Sequence, residues 1–171
     1  ILPSVEVPGL ATIAVAVTDV GGPSEYLLSG SGAKDVQAGG SYQVDVFAVP
    51  KTLVSSWDLQ LALGGKDTFE ARGAYVGIFV NGAYTDSPPV AGVLMTYQGT
   101  PAPDQYFFKD DRGTIDKTAS ATDAATGSSV QRISGTLGTY SGTGGGIMQW
   151  DSGPGTSVPG VIFVQVFHPA K

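Results

Sequence analysis

The chain has 171 residues, a length that suits one domain with a single substantial core. Its formal net charge is −6, and its nine Lys and Arg are scattered, so nucleic acid and anionic membrane surfaces are poor partners. The lack of cysteine excludes disulfides, thiolate metal sites and cysteine nucleophiles.

The composition favours strands and turns over helices, because the chain holds 25 Gly and 11 Pro together with many Val, Thr and Ser. No apolar run approaches the roughly 20 residues that a membrane helix needs, so we expect no membrane span. The first residue is Ile rather than Met. We therefore expect a secreted or exported protein whose N-terminal segment has been removed, with a cytoplasmic location as the alternative.

The first third of the chain predicts an edge segment followed by short strands. Ile1–Leu10 holds prolines and no clear period, which is typical of an arm or edge segment. Ala11–Val17 is a compact apolar run that predicts a buried strand, and Ser24–Gly40 is rich in loop residues. Alternation of side chains predicts strands over Tyr42–Val49 and Ser56–Leu63.

A hairpin is predicted at the centre of the chain. Thr68–Val80 reads as a long strand and Val90–Gln98 as the next one. Asn81–Gly82 lies between Ile78–Val80 and Ala83–Tyr84, and both residues tolerate the positive φ that a type I′ turn requires. We therefore expect these strands to be joined near that turn.

The last third predicts a second hairpin and a closing strand. Val130–Trp150 reads as two strands around a glycine-rich turn at Gly135–Gly146, with Tyr140 as a packing residue. Val161–Phe167 is apolar on both faces. The remaining segments are two short strands and two loops: Gln105–Lys109, Gly113–Ala119, Ala121–Ser129 and Ser152–Gly160.

These elements amount to about eight to ten short strands with no convincing helix. We therefore predict an all-β fold in which residues 1–171 form a single antiparallel eight-stranded β-barrel with a central cavity. A final strand that is apolar on both faces suits a closed sheet, and closure removes exposed strand edges. A β-sandwich is the alternative.

The stretch Ile133–Gly145 resembles the glycine-rich hairpin of the allene oxide cyclase and dirigent superfamily. Phe69–Val80, Val90–Gln98 and Val161–His168 lie in a similar order around it, and Gly113–Ile115 resembles a short strand of that family. The chain departs from the family pattern by one extra residue in the hairpin. It also departs by Val46–Pro50, which occupies the place of the acidic pair that dirigent proteins carry.

This resemblance implies a barrel that steers the cyclisation, cycloaddition or stereoselective coupling of a reactive small molecule. Such a barrel works largely by holding its substrate in one conformation. It implies an isomerase or cyclase with a small apolar, polyene or phenolic ligand and no cofactor, and a homo-dimer or homo-trimer. The barrel exterior or the apolar last strand would carry the subunit contact.

Glu70 and Arg72 are the candidate catalytic residues, because two residues apart on a strand they share a face. Facing a cavity, they would polarise a carbonyl or orient a carboxylate. A solvent-facing ion pair is the alternative. Asp45 is a polar residue in mid-strand and is the candidate polar contact to the substrate.

Aromatic residues on predicted strands are the candidates for a binding pocket, since ligand cavities are mostly apolar and aromatic. A packed core is the alternative for each of them. The four candidates are Tyr75, Tyr97, Tyr106 and Trp150.

Metal and cofactor sites are not expected. His168 is the only histidine, which excludes a multi-histidine metal site, and its place near the C-terminus suits a strand end. The run Asp110–Gly113 reads as a solvated turn, and Asp151–Gly153 reads as a loop turn rather than half of an aspartic protease dyad.

Two other functions stay open. The first is a non-catalytic binding module for an apolar ligand or a sugar, in which Trp57, Tyr84 and Trp150 would stack on sugar rings. The second is a structural surface β-domain without a pocket.

Overall fold

The computed structural model describes residues 11–17, 24–32, 34–36, 44–132, 137–156 and 158–170. Most of the regular structure in these ranges is strand. The strands are β1 (Ala11–Ile13), β2 (Ala16–Val17), β3 (Tyr26–Ser31), β4 (Lys34–Val36), β5 (Val49–Pro50), β6 (Ala74–Phe79), β7 (Val93–Tyr97), β8 (Thr100–Pro101), β9 (Gln105–Phe108), β10 (Ile115–Asp116), β11 (Ser128–Arg132), β12 (Gly138–Gly144), β13 (Gly153–Gly155) and β14 (Val161–Phe167). The helices are α1 (Lys51–Leu61) and α2 (Phe69–Arg72), with a 3₁₀ turn over Gly65–Asp67.

The largest sheet, called the large sheet below, has eight strands. Its order is β10-β9-β11-β6-β14-β3-β2, and β5 pairs with β3. A second sheet, the small sheet, has four strands in the order β13-β12-β7-β8, and β1 pairs with β4 separately. The all-β class is therefore observed at the level of strand content. Among the described residues neither sheet closes on itself, so these pairings do not form the predicted eight-stranded barrel.

The large sheet is the middle of three layers, as the alternation along β6 makes plain. Ala74 and Val76 pack in a core with Val54 and Trp57 of α1, whereas Tyr75 and Phe79 pack in a second core with Met95 of the small sheet. Successive side chains of a strand point to opposite faces. The helices therefore cover one face of the large sheet, and the small sheet covers the other.

The prediction that β14 is an apolar closing strand is confirmed in its bounds, but its place differs. It lies inside the large sheet and runs parallel to both β6 and β3. Ile162 and Val164 face the helix side, while Phe163 and Phe167 belong to the core under the small sheet. A strand covered on both faces needs apolar side chains on both. β6 pairs with Ile162–Phe167 on one edge of β14, and β3 pairs with Val161–Val164 on the other.

The prediction of a strand at Ser56–Leu63 is wrong, since α1 occupies this segment. Val54 and Trp57 are buried, whereas Leu59 is 82% exposed, so apolar side chains repeat at a helical spacing rather than at every second residue. Pro50 precedes the first turn and Ala62 ends the helix with a φ of 54°. The prediction that the chain has no helix is therefore also wrong.

The long strand predicted at Thr68–Val80 begins only at Ala74. The Thr68 hydroxyl accepts a hydrogen bond from Ala71 N at 3.1 Å and caps α2, and Asp58 Oδ1 accepts one from Phe69 N at 2.8 Å. Gly73, with a φ of 78°, separates the helix from β6. Glu70 and Arg72 therefore lie on a helix and not on a strand face.

The two-residue turn predicted at Asn81–Gly82 does not form, and β6 pairs with β11 and β14 rather than with β7. The chain returns antiparallel only at a bridge between Val80 and Pro89. Neither Asn81 nor Gly82 has a positive φ. The chain instead crosses to the small sheet through a wide loop, closed where Asn81 N donates to Pro88 O at 2.8 Å. The tight two-residue turn is at Gln98 and Gly99, with φ of 50° and 78°, between β7 and β8.

The second predicted hairpin, Val130–Trp150, is also wrong in its pairing. Its first strand, β11, lies between β6 and β9 in the large sheet. Its second strand, β12, lies between β7 and β13 in the small sheet. The glycine-rich stretch thus passes from one sheet to the other, and residues 133–136 lie outside the described ranges. Tyr140 is fully buried, which confirms its prediction as a packing residue.

The other strand predictions are confirmed in part. Those at Val90–Gln98, Gln105–Lys109 and Gly113–Ala119 contain β7, β9 and β10. Ala11–Val17 divides into β1 and β2, with Ala16 and Val17 exposed, so it is not one buried strand. The predicted loops contain β3, β4 and β13, and in Tyr42–Val49 the described residues 44–48 have no regular structure. The arm Ile1–Leu10 lies outside the described ranges.

Candidate functional site

The predicted catalytic pair lies on the surface of the helix layer. Glu70 is exposed, and Arg72 Nη2 forms an ion pair with Asp67 Oδ1 at 2.6 Å. Both side chains are on α2. This helix covers one face of the large sheet, and the small sheet covers the other face. Glu70 and Arg72 therefore do not share a strand face, and the ion pair at Arg72 is made with Asp67.

Two predicted substrate contacts also lie apart from the aromatic side chains under the small sheet. Asp45 is exposed and accepts a hydrogen bond from the Thr85 hydroxyl. Tyr106 packs edge-on against Phe69 in the helix-side core, with ring centroids 6.1 Å apart. The structure therefore separates Asp45 and Tyr106 from the remaining candidates.

The other three candidates come together between the two sheets, in a group that we call the inter-sheet cluster. Its buried members are Tyr75, Phe79, Val93, Met95, Ala102, Tyr140, Trp150 and Phe167, with Tyr97, Val90, Ile147 and Phe163 partly buried against them.

Tyr140 is the hub of the tyrosines in this cluster. Its ring stacks on that of Tyr75 with centroids 3.9 Å apart and an interplanar angle of 10°. Tyr97 packs on Tyr140 at 5.1 Å and 51°. Tyr75 and Tyr140 are fully buried, whereas Tyr97 is only partly buried and connects the cluster with solvent.

Trp150 forms the other end of the inter-sheet cluster. Its ring meets Phe79 edge-on at 5.2 Å, and its Nε1 donates a hydrogen bond to Gly144 O at 3.1 Å. Trp150 is 3% exposed and Trp57 is equally buried on the helix side, whereas Tyr84 is 75% exposed. Of the three residues predicted for sugar stacking, only Tyr84 therefore presents its ring to solvent.

Glycines of the small sheet make room for the large rings. A Cβ at Gly155 would lie 2.6 Å from Tyr140 Cδ2, and one at Gly138 would lie 2.5 Å from Tyr97 Cζ. Separations this short are strong clashes, so any larger residue would displace a ring. Gly138 and Gly155 are thus required by the packing of the tyrosine rings.

Polar side chains line the face of the large sheet that holds this cluster. Gln105, Gln131, Tyr75 and Phe163 are successive register partners across β9, β11, β6 and β14, so they form one row on that face. Gln105 also contacts the neighbouring row, because its Nε2 donates to the Ser129 hydroxyl at 2.8 Å. The layer between the sheets is therefore aromatic but not entirely apolar.

A second polar contact joins Tyr75 to β14, where the Tyr75 hydroxyl donates to Gln165 Oε1. Burial raises the pKa of the Tyr75 hydroxyl well above its usual value, and the nearby Tyr140 and Asp151 raise it further. Burial also raises the pKa of Tyr140, with a contribution from Tyr97. Both phenols are therefore protonated at neutral pH and act as hydrogen-bond donors rather than as bases.

Two polar atoms of this region are buried without a hydrogen-bond partner, namely Tyr140 Oη and Gln131 Oε1. Both side chains are fully buried. The orientation of the Gln131 amide is well defined, because its Nε2 donates to the Pro103 carbonyl at 2.8 Å and its Oε1 must point elsewhere. An unpaired buried polar group costs about 1–3 kcal/mol, so these two atoms call for an explanation.

Sequence reasoning missed Gln131 as a site residue and assigned Tyr140 only to packing. The sequence carried no clear local signal for Gln131, because Val130 is the only apolar residue of β11. Gln165 differs, since it is the one polar residue of β14. A glutamine in a strand that is otherwise apolar on both faces indicates a polar contact in the interior.

The residues that the sequence analysis interpreted as turns or strand ends make local hydrogen bonds in the structure. His168 N donates to Asp151 Oδ1 at 2.8 Å, and His168 Nδ1 lies 2.7 Å from Gly82 O. Asp110 Oδ1 accepts from Arg112 N and Thr114 N, and these bonds, from Thr114 above all, lower the pKa of its carboxyl. Within the described ranges, no group of three or more His, Asp or Glu side chains is arranged to hold a metal ion.

Neither helix of the described part has the length and apolar character needed to cross a membrane. Comparison of the chain with protein-family models, with curated proteins and with solved structures finds no match. The resemblance to the allene oxide cyclase and dirigent superfamily therefore stays a prediction.

Proposed function

We propose that the protein is a non-catalytic binding module that takes a small, mainly apolar molecule into the inter-sheet cluster. The observation that carries this proposal is the pair of fully buried, unpartnered polar atoms, Tyr140 Oη and Gln131 Oε1. A ligand with polar groups would supply the hydrogen bonds that the protein itself does not make there.

The setting of the two atoms supports a shared ligand. Gln131 is the register partner of Tyr75, and Tyr75 stacks on Tyr140, so both unpaired atoms belong to side chains beside the same ring. The surrounding rings offer apolar and aromatic contact area. Small-molecule sites typically combine such a lining with a few placed polar groups.

Tyr97 supports a route to this site. Its ring touches Tyr140 on one side and is partly exposed, and its strand β7 is followed at once by the tight turn at Gln98 and Gly99. A rotamer change of one partly exposed aromatic residue at the margin of a sheet is a modest rearrangement. Tyr97 is therefore the residue that would admit the ligand.

The isomerase or cyclase function implied by the resemblance is the second candidate, and it stays a prediction. Its predicted pair, Glu70 and Arg72, lies in the helix layer rather than at the inter-sheet cluster. An enzyme using this cluster would depend on the protonated phenols of Tyr75 and Tyr140 as donors. Secretion and assembly into a homo-dimer or homo-trimer likewise stay predictions.

Thermal unfolding of the protein with a panel of small aromatic compounds tests the proposal. Suitable probes are toluene, benzyl alcohol, benzamide and benzoate. A ligand at ten times its Kd stabilises the folded state by about 1.4 kcal/mol, which raises Tm by about 3–6 °C for a domain of this size. We expect such a rise with at least one neutral probe. If no probe raises Tm at millimolar concentration, a purely structural β-domain is favoured instead.

A further inference from the structure

We infer that the inter-sheet cluster selects an uncharged ligand that donates a hydrogen bond, such as an alcohol on an apolar ring, over an apolar or anionic analogue of the same size. This inference rests on the proposed binding function and specifies the chemistry of its ligand. Gln131 Oε1, Tyr140 Oη and the charge beside Tyr75 carry it.

Gln131 Oε1 sets the requirement for a donor. An amide oxygen only accepts hydrogen bonds, and the Nε2 of the same amide is already engaged with the Pro103 carbonyl at 2.8 Å. A bound molecule can satisfy this oxygen only by presenting an O–H or N–H group. A hydrocarbon of the same shape would leave it buried and unpaired.

Tyr140 Oη complements this requirement. Because burial raises its pKa, the hydroxyl keeps its proton and can donate to a ligand oxygen. A ligand hydroxyl donates once and accepts twice, so a single such group has the right valence for a Gln131 oxygen and a Tyr140 hydroxyl. Both protein atoms lack any other partner.

The local charge argues against an anionic ligand. Burial raises the pKa of the Tyr75 hydroxyl, and the nearby Tyr140 and the Asp151 carboxylate raise it further. Asp151 is held beside β12, where the Ser141 hydroxyl donates to Asp151 O at 2.9 Å. The fully buried polar side chains on this face, Ser129 and Gln131, are uncharged. A carboxylate placed here would be desolvated beside another carboxylate, which is unfavourable.

Calorimetric titration of the protein with three probes of similar size tests this inference, namely benzyl alcohol, toluene and benzoate at neutral pH. We expect benzyl alcohol to bind at least about tenfold more tightly than toluene, and benzoate to bind most weakly. If toluene or benzoate binds as tightly as benzyl alcohol, the inference on ligand class is wrong while the binding function stands. If none of the three binds, both are wrong.

Two variants connect the selectivity to the named atoms. Gln131→Leu should abolish the preference for benzyl alcohol over toluene, whereas Gln149→Leu, the same change at an exposed residue, should keep it. Tyr140→Phe preserves the ring and serves where Gln131→Leu fails to fold, and it should reduce the preference by about tenfold. An unchanged preference in folded Gln131→Leu and in Tyr140→Phe would overturn the inference.

Discussion

Tyr75 and Tyr140 come from strands of different sheets, yet their rings are stacked with centroids 3.9 Å apart. Tyr75 lies on β6 in the middle of the large sheet, and Tyr140 lies on β12 in the middle of the small sheet. The stack therefore joins the two sheets at the point where their interior is polar. The hydroxyl of Tyr75 is paired with Gln165, whereas that of Tyr140 is unpaired.

Tyr140→Phe is predicted to raise the free energy of unfolding of the ligand-free protein by about 1 kcal/mol. The change keeps the ring and removes a buried hydroxyl that has no partner, so it relieves a desolvation cost. Urea denaturation measures the effect, with Tyr84→Phe as a control because that side chain is 75% exposed. A loss of stability in Tyr140→Phe would mean that the hydroxyl has a partner in solution.

Tyr75→Phe is predicted to have the opposite sign and to lower the free energy of unfolding by about 1–2 kcal/mol. It removes the hydrogen bond to Gln165 and leaves that partly buried amide oxygen without its donor. A double-mutant cycle with Gln165→Leu should recover part of the loss, since both polar partners are then absent. Strict additivity of the two changes would contradict the pairing.

Gly155→Ala is predicted to lower the free energy of unfolding by about 1–3 kcal/mol, because the added Cβ would lie 2.6 Å from Tyr140 Cδ2. Gly64→Ala is the matched control, since a Cβ there meets no atom within 4 Å and its φ is −158°. The two variants are compared by thermal unfolding. Equal Tm values would show that the rings do not pack against β13 as described.

Stability is predicted to fall at alkaline pH. Folding raises the pKa of Tyr75 and Tyr140 above the ordinary value of 10.0. In the unfolded chain both phenols ionise near that value while the folded chain still holds its protons. Their contribution is therefore complete below about pH 10 and is lost as the pH rises above it.

Ultraviolet absorption of tyrosinate, recorded together with circular dichroism, checks this prediction. The phenols of Tyr75 and Tyr140 should ionise only as the protein unfolds, because both side chains are fully buried. Ionisation of all tyrosines before any loss of structure would contradict the burial of the stack.

The local sequence pattern was sufficient to predict the bounds of an apolar strand, but it could not predict which strands pair with it. Val161–Phe167 has the bounds predicted for it, since its residues are apolar on both faces and the segment is short. Its parallel pairing with β3 and β6 depends on residues more than 80 positions away, which no local pattern contains. The two predicted hairpins failed for the same reason, since β6 and β11 pair with other strands.

Helix α1 was misread because its apolar residues fit two periods at once. Trp57, Leu59 and Leu61 alternate with other residues as in a strand. Only the folded structure shows that Leu59 is exposed, and this exposure distinguishes the helix from a strand. Glu70 and Arg72 were separately assigned to a strand that begins only after them, at Ala74. The aromatic part of the site was predictable, since Tyr75, Tyr97 and Trp150 do come together, but the unpaired atoms depend on tertiary packing.

Methionine methyl NMR tests the binding claim most directly, because the chain has only two methionines and they report on opposite environments. Met95 is fully buried in the inter-sheet cluster, and Met148 is fully exposed. Titration with benzyl alcohol should shift the Met95 methyl signal in a saturable way and leave the Met148 signal unchanged. An unchanged Met95 signal, or equal non-saturating shifts of both signals, would contradict a ligand site between the sheets.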